Sequence, residues 1–279
     1  MIIDTHTHFY DPTRPQGVPW PPQDNELLYR TVLPEHALAE AQPHGVTGTV
    51  VVEASAWLED NQWILDLAAA EPFLVGLVGH IDPNRAKFGS ELERFAANPL
   101  FRGIRCHGTF FEDVATGTFL ADMQTLADND LALDVLVHPQ HLNGLSVLAE
   151  RVPDLRIVVD HIAHMPVDGH AVSPEWIERY RQLASHPNIF MKVSALMENS
   201  TVQPAPTDVD FYRPVLDALW HAFGADRVIY GSNWPVCERA GRYATCIGIV
   251  KTYFGEKGDA AADKYFQGNA RAVYKWIER

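Results

Sequence analysis

The sequence predicts an α/β fold, a (β/α)8 TIM barrel with additional C-terminal helices, as one barrel domain over residues 1–279. Three observations predict it. Short, nearly apolar, β-branched runs recur eight times, the pattern of parallel strands buried on both faces. Helix-like segments separate them, as in successive βα units. The eight runs lie within residues 1–234, which matches one barrel in number and size. An open doubly wound sheet competes, but it usually has fewer strands and often a GxGxxG after strand 1, where this chain has DTHTHF.

The elements follow in order. Strand 1 is MIIDTHTH (1–8). The stretch from Tyr10 to Asn25, rich in Pro, Gly and Gln and carrying Trp20, reads as a long loop and a lid element. VTGTVVVEA (46–54) is strand 2, followed by the helix-like LEDNQWILDLAAAE (58–71). Strands 3 and 4 are FLVGLVGHID (73–82) and FRGIRCHG (101–108). DMQTLADND (122–130) reads as a helix before strand 5, LALDVLVHP (131–139), and strand 6 is LRIVVDHIAH (155–164). In SPEWIERYRQLASH (173–186), Ser173 is the N-cap and Pro174 the first helical residue. Strand 7, NIFMKVSAL (188–196), precedes FYRPVLDALWHAFG (211–224), whose Gly224 has the place of a C-cap glycine. DRVIYGSNW (226–234) is strand 8. ATCIGIVKTYFGEK and DKYFQGNARAVYKWIER then predict a closing helix and one or two short helices over the barrel's base or side.

Composition narrows the function. Hydrophobic residues make up 47% and charged residues 21%, the balance of a soluble globular protein. A formal net charge of -14 disfavours nucleic acid and anionic membranes as partners, though a local arginine still admits a small anionic substrate. No apolar run approaches the ~20 residues needed to span a bilayer. The opening MIIDTHTHFYD has neither a basic region nor an apolar stretch, so no secretory signal is expected. Cys106, Cys237 and Cys246 have no CxxC spacing and read as buried thiols in a reducing cytoplasm. A homo-oligomer is compatible with the sequence.

Polar residues gather where the strands end, and in a barrel of this kind those ends share one mouth. Strand 1 supplies His6 and His8, strand 2 Glu53, strand 3 His80 and Asp82, and strand 4 Arg105 and His107. Strand 5 supplies His138, strand 6 Asp160, His161 and His164, strand 7 Lys192 and Ser194, and strand 8 Asn233. Two residues apart on a strand, His6 and His8 share a face, which suits a divalent metal or a polarised carbonyl. Arg105, at the end of an apolar strand, needs a partner. It either pairs with Glu53 or Asp82 or clamps a ligand oxygen with its planar fork. Glu53 itself fits as Arg105's partner, a metal ligand, a sugar-hydroxyl acceptor or a base. Trp57 and Trp234 read either as packing residues or as apolar walls of a sugar pocket, and Lys192 as a ligand contact or the partner of a carboxylate.

Taken together, IDTHTHF (3–9), FRGIR (101–105), VHP (137–139), VVDHIAH (158–164), MKVSAL (191–196), RVIYGSNWPV (227–236) and FQGNARAVY (266–274) resemble the amidohydrolase superfamily. The resemblance is to its amidohydrolase-related branch of sugar lactonases and 2-pyrone-4,6-dicarboxylate lactonase, and it runs over essentially the whole chain. It implies that His6, His8 and His161 bind the substrate carbonyl, or a metal in some relatives, and that Arg105 contacts substrate. It implies a small-molecule lactone as substrate and no resident metal. If a zinc or manganese ion is bound, its expected ligands are His6, His8 and His161. A metal-dependent hydrolase or decarboxylase, or a non-catalytic binder, is the alternative.

The departure is Asn233, where the family typically has an aspartate that activates water. A neutral amide hydrogen-bonds but takes no proton near neutral pH, and it is a poor metal ligand. Four routes stay open: a base relocated to His138, His161, His164 or Glu53; an introduced Asp-to-Asn change; a reaction that needs no such base; or a binder that kept the pocket. The expected catalytic residues are thus His6, His8, His161, Asn233 and Arg105. The expected substrate contacts are Glu53, Trp57, His107, His138, His164, Lys192 and Trp234. The loops Tyr10–Asn25 and Glu198–Asp210 are expected to carry specificity.

Overall fold

The computed structural model describes residues 1–278. Eight parallel strands form one sheet in sequential order: β1 Ile2–Thr7, β2 Val46–Val52, β3 Leu74–Gly79, β4 Phe101–His107, β5 Ala132–Leu136, β6 Arg156–Val159, β7 Ile189–Val193 and β8 Val228–Tyr230. The sheet nearly closes on itself. Thr7 bridges Trp234 in parallel fashion, and the His8 amide donates to the Trp234 carbonyl at 2.9 Å. Each strand is followed by a helix: α1 Pro34–Ala41, α2 Asp60–Ala70, α3 Phe88–Ala96, α4 Phe119–Asp128, α5 Leu142–Arg151, α6 Pro174–Ala184, α7 Val209–Phe223 and α8 Tyr243–Glu256. The parallel barrel with extra C-terminal helices is the predicted fold.

Local chemistry sets the ends as expected in two places. Ser173 Oγ accepts the Trp176 amide at the start of α6, with Pro174 first in the helix. Gly224 ends α7 at φ +68°, a conformation that costs a glycine little. The largest departure is β6, which stops at Val159 although the apolar pattern runs on. His161, Ile162, Ala163 and His164 all have φ between 54° and 57°. Such left-handed backbone costs an L-residue roughly 1–2 kcal/mol, more for a β-branched one, so packing must hold it. Ile162 and Ala163 are fully buried, and Tyr180 donates to the Ile162 carbonyl at 3.0 Å.

Two cores share the sheet. The larger lies between strands and helices. The smaller fills the lower barrel with Ile3, Val50, Val78, Ala132, Val158 and Ile229, and it is plugged by Val273, Tyr274 and Trp276. Val273 and Tyr274 belong to α10 (Asn269–Tyr274), which follows the short α9 (Asp259–Asp263), and Trp276 lies just after α10; together they cover the base. Arg102 and Arg156, near the starts of β4 and β6, donate to the Tyr274 and Val273 carbonyls at 2.6 Å each. The base is therefore sealed, and the opposite end is left as the mouth.

Candidate functional site

A cavity of about 580 Å³ opens at the C-terminal ends of the strands. That volume suits a small metabolite. His8, Glu53, Arg105, His107, His161, His164 and Asn233 line it, drawn from β4, from the residues just past β1 and β2, and from the turns after β6 and β8. Trp20 lines it too, so the Tyr10–Asn25 loop reaches the mouth, and its ring meets His8 edge-on with centroids 5.8 Å apart.

Beneath the cavity lies a buried charge cluster. Lys192, from β7, has no exposed surface. Its ammonium donates to Asp134 Oδ2 and sits 3.0 Å from Asp160 Oδ1. The Tyr274 hydroxyl donates to Asp134 from below at 2.9 Å. Burial works against the Lys192 ammonium, but Asp134 and Asp160 outweigh it and raise its pKa. Burial raises the Asp134 carboxyl to about 6 although Lys192 pulls it down. Burial pushes Asp160 up as well, yet Lys192 and His6 hold it well below the usual carboxylate range.

The imidazoles above this cluster are neutral at pH 7. Burial lowers His8 to about 4, helped by Arg105, and holds His6 and His161 well below 6.5 despite Asp160. His8 Nδ1 lies 2.9 Å from the Val52 carbonyl, which only accepts, so Nδ1 carries the proton and Nε2 keeps its lone pair. The same holds for His164, whose Nδ1 is 3.0 Å from the Val137 carbonyl. His161 Nδ1 is 2.8 Å from Ser194 Oγ, which orients the ring.

Arg105 and Glu53 form one unit. Arg105 Nε donates to Glu53 Oε1 at 2.8 Å and Nη2 to the Glu53 carbonyl at 2.9 Å, leaving Nη1 without a hydrogen bond among the described residues. The arginine therefore pairs with Glu53 and still presents an N–H edge to a ligand. Burial raises Glu53, but Arg105 overrides it and brings the carboxyl to about 2.

The end of β8 is built by its neighbours. A Cβ on Gly231 would lie 2.8 Å from His6 Cβ and 3.2 Å from Lys192 Cδ, so only glycine lets β8 approach the cluster. The Ser232 amide donates to Asp4 Oδ1 at 2.8 Å. Asn233 follows at φ +63°, which Asn and Asp tolerate better than most residues, and this turn delivers its amide to the mouth. Gly231→Ala is expected to cost about 1–3 kcal/mol through overpacking. A denaturant midpoint unchanged from wild type would show that the seam has slack.

The remaining expectations fall outside the cavity wall. His6 and Lys192 are fully buried below it. Lys192 is the partner of the Asp134 and Asp160 carboxylates and lies outside the cavity lining. Trp234 is buried against Phe9 and donates Nε1 to Glu238 at 2.9 Å. Trp57 is 39% exposed and lies outside the lining, and His138 stacks behind His164 with centroids 4.4 Å apart. The aromatic wall comes from Trp20 instead.

Two carboxylates, Asp160 and Glu198, have no assigned role in the sequence reading. Asp160 reads in the sequence only as a polar strand end, and the left-handed turn that starts after it holds His161 beside His6 at a centroid distance of 4.4 Å. His6, Asp160 and His161 each offer a ligand atom within 4.8 Å of the others. His6 Nε2 and Asp160 Oδ2 are buried without a hydrogen bond among the described residues. Two imidazoles and a carboxylate suit zinc, so the residues fit a divalent metal. The three residues that could hold a divalent metal together are thus His6, Asp160 and His161, where the sequence leads to His6, His8 and His161. Glu198 and Arg239 also line the cavity, and Asn233 Nδ2 donates to Glu198 Oε1 at 2.8 Å. An acidic residue just past the apolar MKVSAL run was the available signal for Glu198.

The chain's similarities agree with this geometry. The sequence profile of a family described as Amidohydrolase matches residues 3–276. An L-fucono-1,5-lactonase of Burkholderia ambifaria is 34% identical over 98% of this chain and 95% of its own length. An L-fucono-1,5-lactonase of Burkholderia multivorans is 28% identical over 98% and 95%. A crystal structure of a Burkholderia multivorans amidohydrolase with bound zinc superposes with a TM-score of 0.85 at 25% identity, covering 99% of this chain and all of that one.

Proposed function

The chain belongs to the amidohydrolase family, and from that premise we propose that it hydrolyses the ring ester of a small sugar lactone to the hydroxy acid. The observation that carries this reading is the mouth itself, where neutral imidazoles and the Nη1 edge of Arg105 face a metabolite-sized cavity. In this reading Arg105 Nη1 holds the carbonyl or a ring hydroxyl and gains strength as the oxygen becomes an oxyanion. His8 and His164 accept hydrogen bonds at Nε2 from sugar hydroxyls, and Trp20 covers the apolar face of the ring. A lactone is far easier to open than an amide, so modest assistance suffices. A zinc ion held by His6, Asp160 and His161 would supply Lewis-acid polarisation at this place. The kinship with L-fucono-1,5-lactonases supports a neutral polyhydroxylated substrate over a dicarboxylate. Among the described residues no helix is long and apolar enough to cross a membrane, and three free thiols support a cytoplasmic setting.

The test is a panel of sugar lactones, L-fucono-1,5-lactone included, followed with a pH indicator that registers the acid released. Turnover above the spontaneous rate is expected. His161→Ala is expected to lower kcat/KM by ~10²–10⁴, since it removes a ring in contact with the reacting centre. Binding of lactones with no turnover would instead identify a non-catalytic relative.

A further inference from the structure

We propose that Glu198 is the general base of this hydrolysis, held in place by Asn233 across the mouth of the barrel. The proposal rests on the lactonase reading and adds to it the group that takes the proton.

The geometry is direct. Asn233 stands in left-handed backbone at the end of β8, and its Nδ2 donates to Glu198 Oε1 at 2.8 Å. Both side chains line the cavity that also holds Arg105 and His161. The carboxylate's hydrogen bonds come from the Asn233 amide and from its own backbone N–H, so it retains capacity to accept from a water. Glu53 is instead tied to a fixed counter-charge, since the Arg105 guanidinium donates to its carboxylate at 2.8 Å.

The ionisation of the site agrees. A base works best when its pKa lies near the working pH. Glu53 at about 2 and His8 at about 4 are far too weak, and burial holds His161 well below 6.5. Burial raises the Glu198 carboxyl to about 7, against the opposing pull of the Asn233 amide, its own N–H and the Arg239 charge. The other groups that face it, Cys237 and Tyr212, are raised and stay protonated. Asn233 then has a physical role that an acid there would spoil. A second carboxylate 2.8 Å away would make the two compete for one proton, whereas the amide fixes Glu198 without titrating.

The step balances as follows. Glu198 takes a proton from water as the water oxygen bonds to the lactone carbonyl carbon. The resulting intermediate collapses with breakage of the ring C–O bond. The Glu198 carboxylic acid returns its proton to the leaving ring oxygen, and the carboxylate is restored. One water is consumed and one hydroxy acid is formed.

The experiment measures kcat and kcat/KM on L-fucono-1,5-lactone, or the best lactone of the panel, from about pH 5.5 to about 8.5, for wild type, Glu198→Gln and Asn233→Ala. Wild-type kcat/KM is expected to rise through a single ionisation near neutrality. Glu198→Gln is expected to lose ~10²–10⁴ in kcat and the acid limb with it. Asn233→Ala, which removes a positioning donor, is expected to move that limb to higher pH with a smaller loss. Thermal melting supplies a readout independent of turnover. Because the folded carboxyl is raised above its unfolded value, wild-type stability falls as pH rises from about 4.5 through about 7, and Glu198→Gln does not share that fall. Glu198→Gln should thus melt progressively above wild type over this window. Turnover within threefold of wild type in Glu198→Gln, or an acid limb that persists in it, overturns the base and leaves the lactonase standing. A wild-type protein that opens no lactone removes both.

Discussion

Lys192→Met is expected to destabilise the protein by about 3–5 kcal/mol, the cost of leaving buried carboxylates without their counter-charge. Lys192 is fully buried and is the ammonium that meets Asp134 and Asp160 in the barrel centre. Methionine matches its length and keeps the packing, so the loss isolates the charge. The effect should also depend on pH. Asp134 is raised to about 6 against an unfolded value near 3.8, so its ionisation already costs the fold stability as pH rises through that window. Without Lys192 the Asp134 carboxyl shifts further upward and Asp160 loses the main charge that holds it down, so the deficit should be smallest near pH 5 and grow towards pH 8. Asp134→Asn in the Lys192→Met background should recover part of the loss. Denaturant unfolding at the two pH values checks this. A deficit under about 1 kcal/mol that does not change with pH would mean that the charges are not coupled as the geometry indicates.

Arg105→Ala is expected to reduce kcat/KM by ~10²–10³, the usual loss when one donor to a developing oxyanion is removed. It should also destabilise the fold, since Glu53 would lose its Nε and Nη2 partners in a 7% exposed setting. The Glu53 carboxyl, brought to about 2 by Arg105 against the effect of burial, would then rise. The sign follows from linkage. A depressed carboxyl stabilises the fold above its unfolded pKa and loses that contribution as pH falls towards about 2, so the variant should lose less stability on acidification than wild type. Arg105→Lys should rescue little of either effect, because an ammonium cannot serve Glu53 and a ligand through one planar fork. Near-wild-type turnover in Arg105→Ala would confine Arg105 to a structural role.

Much of this protein is legible in its sequence, for a definite reason. Parallel strands buried on both faces must be apolar throughout, so the eight runs stand out, and any polar residue at their ends is conspicuous. His8, Arg105, His107, His161 and Asn233 were visible on that ground, and all five line the cavity. Ser173 and Gly224 were visible because caps depend on local backbone chemistry alone.

What escaped the sequence depends on backbone direction and on partners distant in the chain. The apolar pattern of strand 6 runs past Val159, yet four left-handed residues turn the chain there, with His161 4.4 Å from His6 between ring centroids. Lys192 and Asn233 both read as polar strand ends. Alternation buries the first in the sealed barrel and a left-handed turn lifts the second to the mouth. Trp20 and Trp57 have the same side chain, and only the path of their loops decides that the first faces the ligand. Glu198 had no motif, and its importance appears only when Asn233, 35 residues away, is found at 2.8 Å. By itself the sequence determined the barrel and which strand ends carry polar chemistry, because burial periodicity is written residue by residue. The tertiary structure alone decided which of those groups meet, since hydrogen bonding and charge act over a few ångströms between residues that the chain keeps far apart.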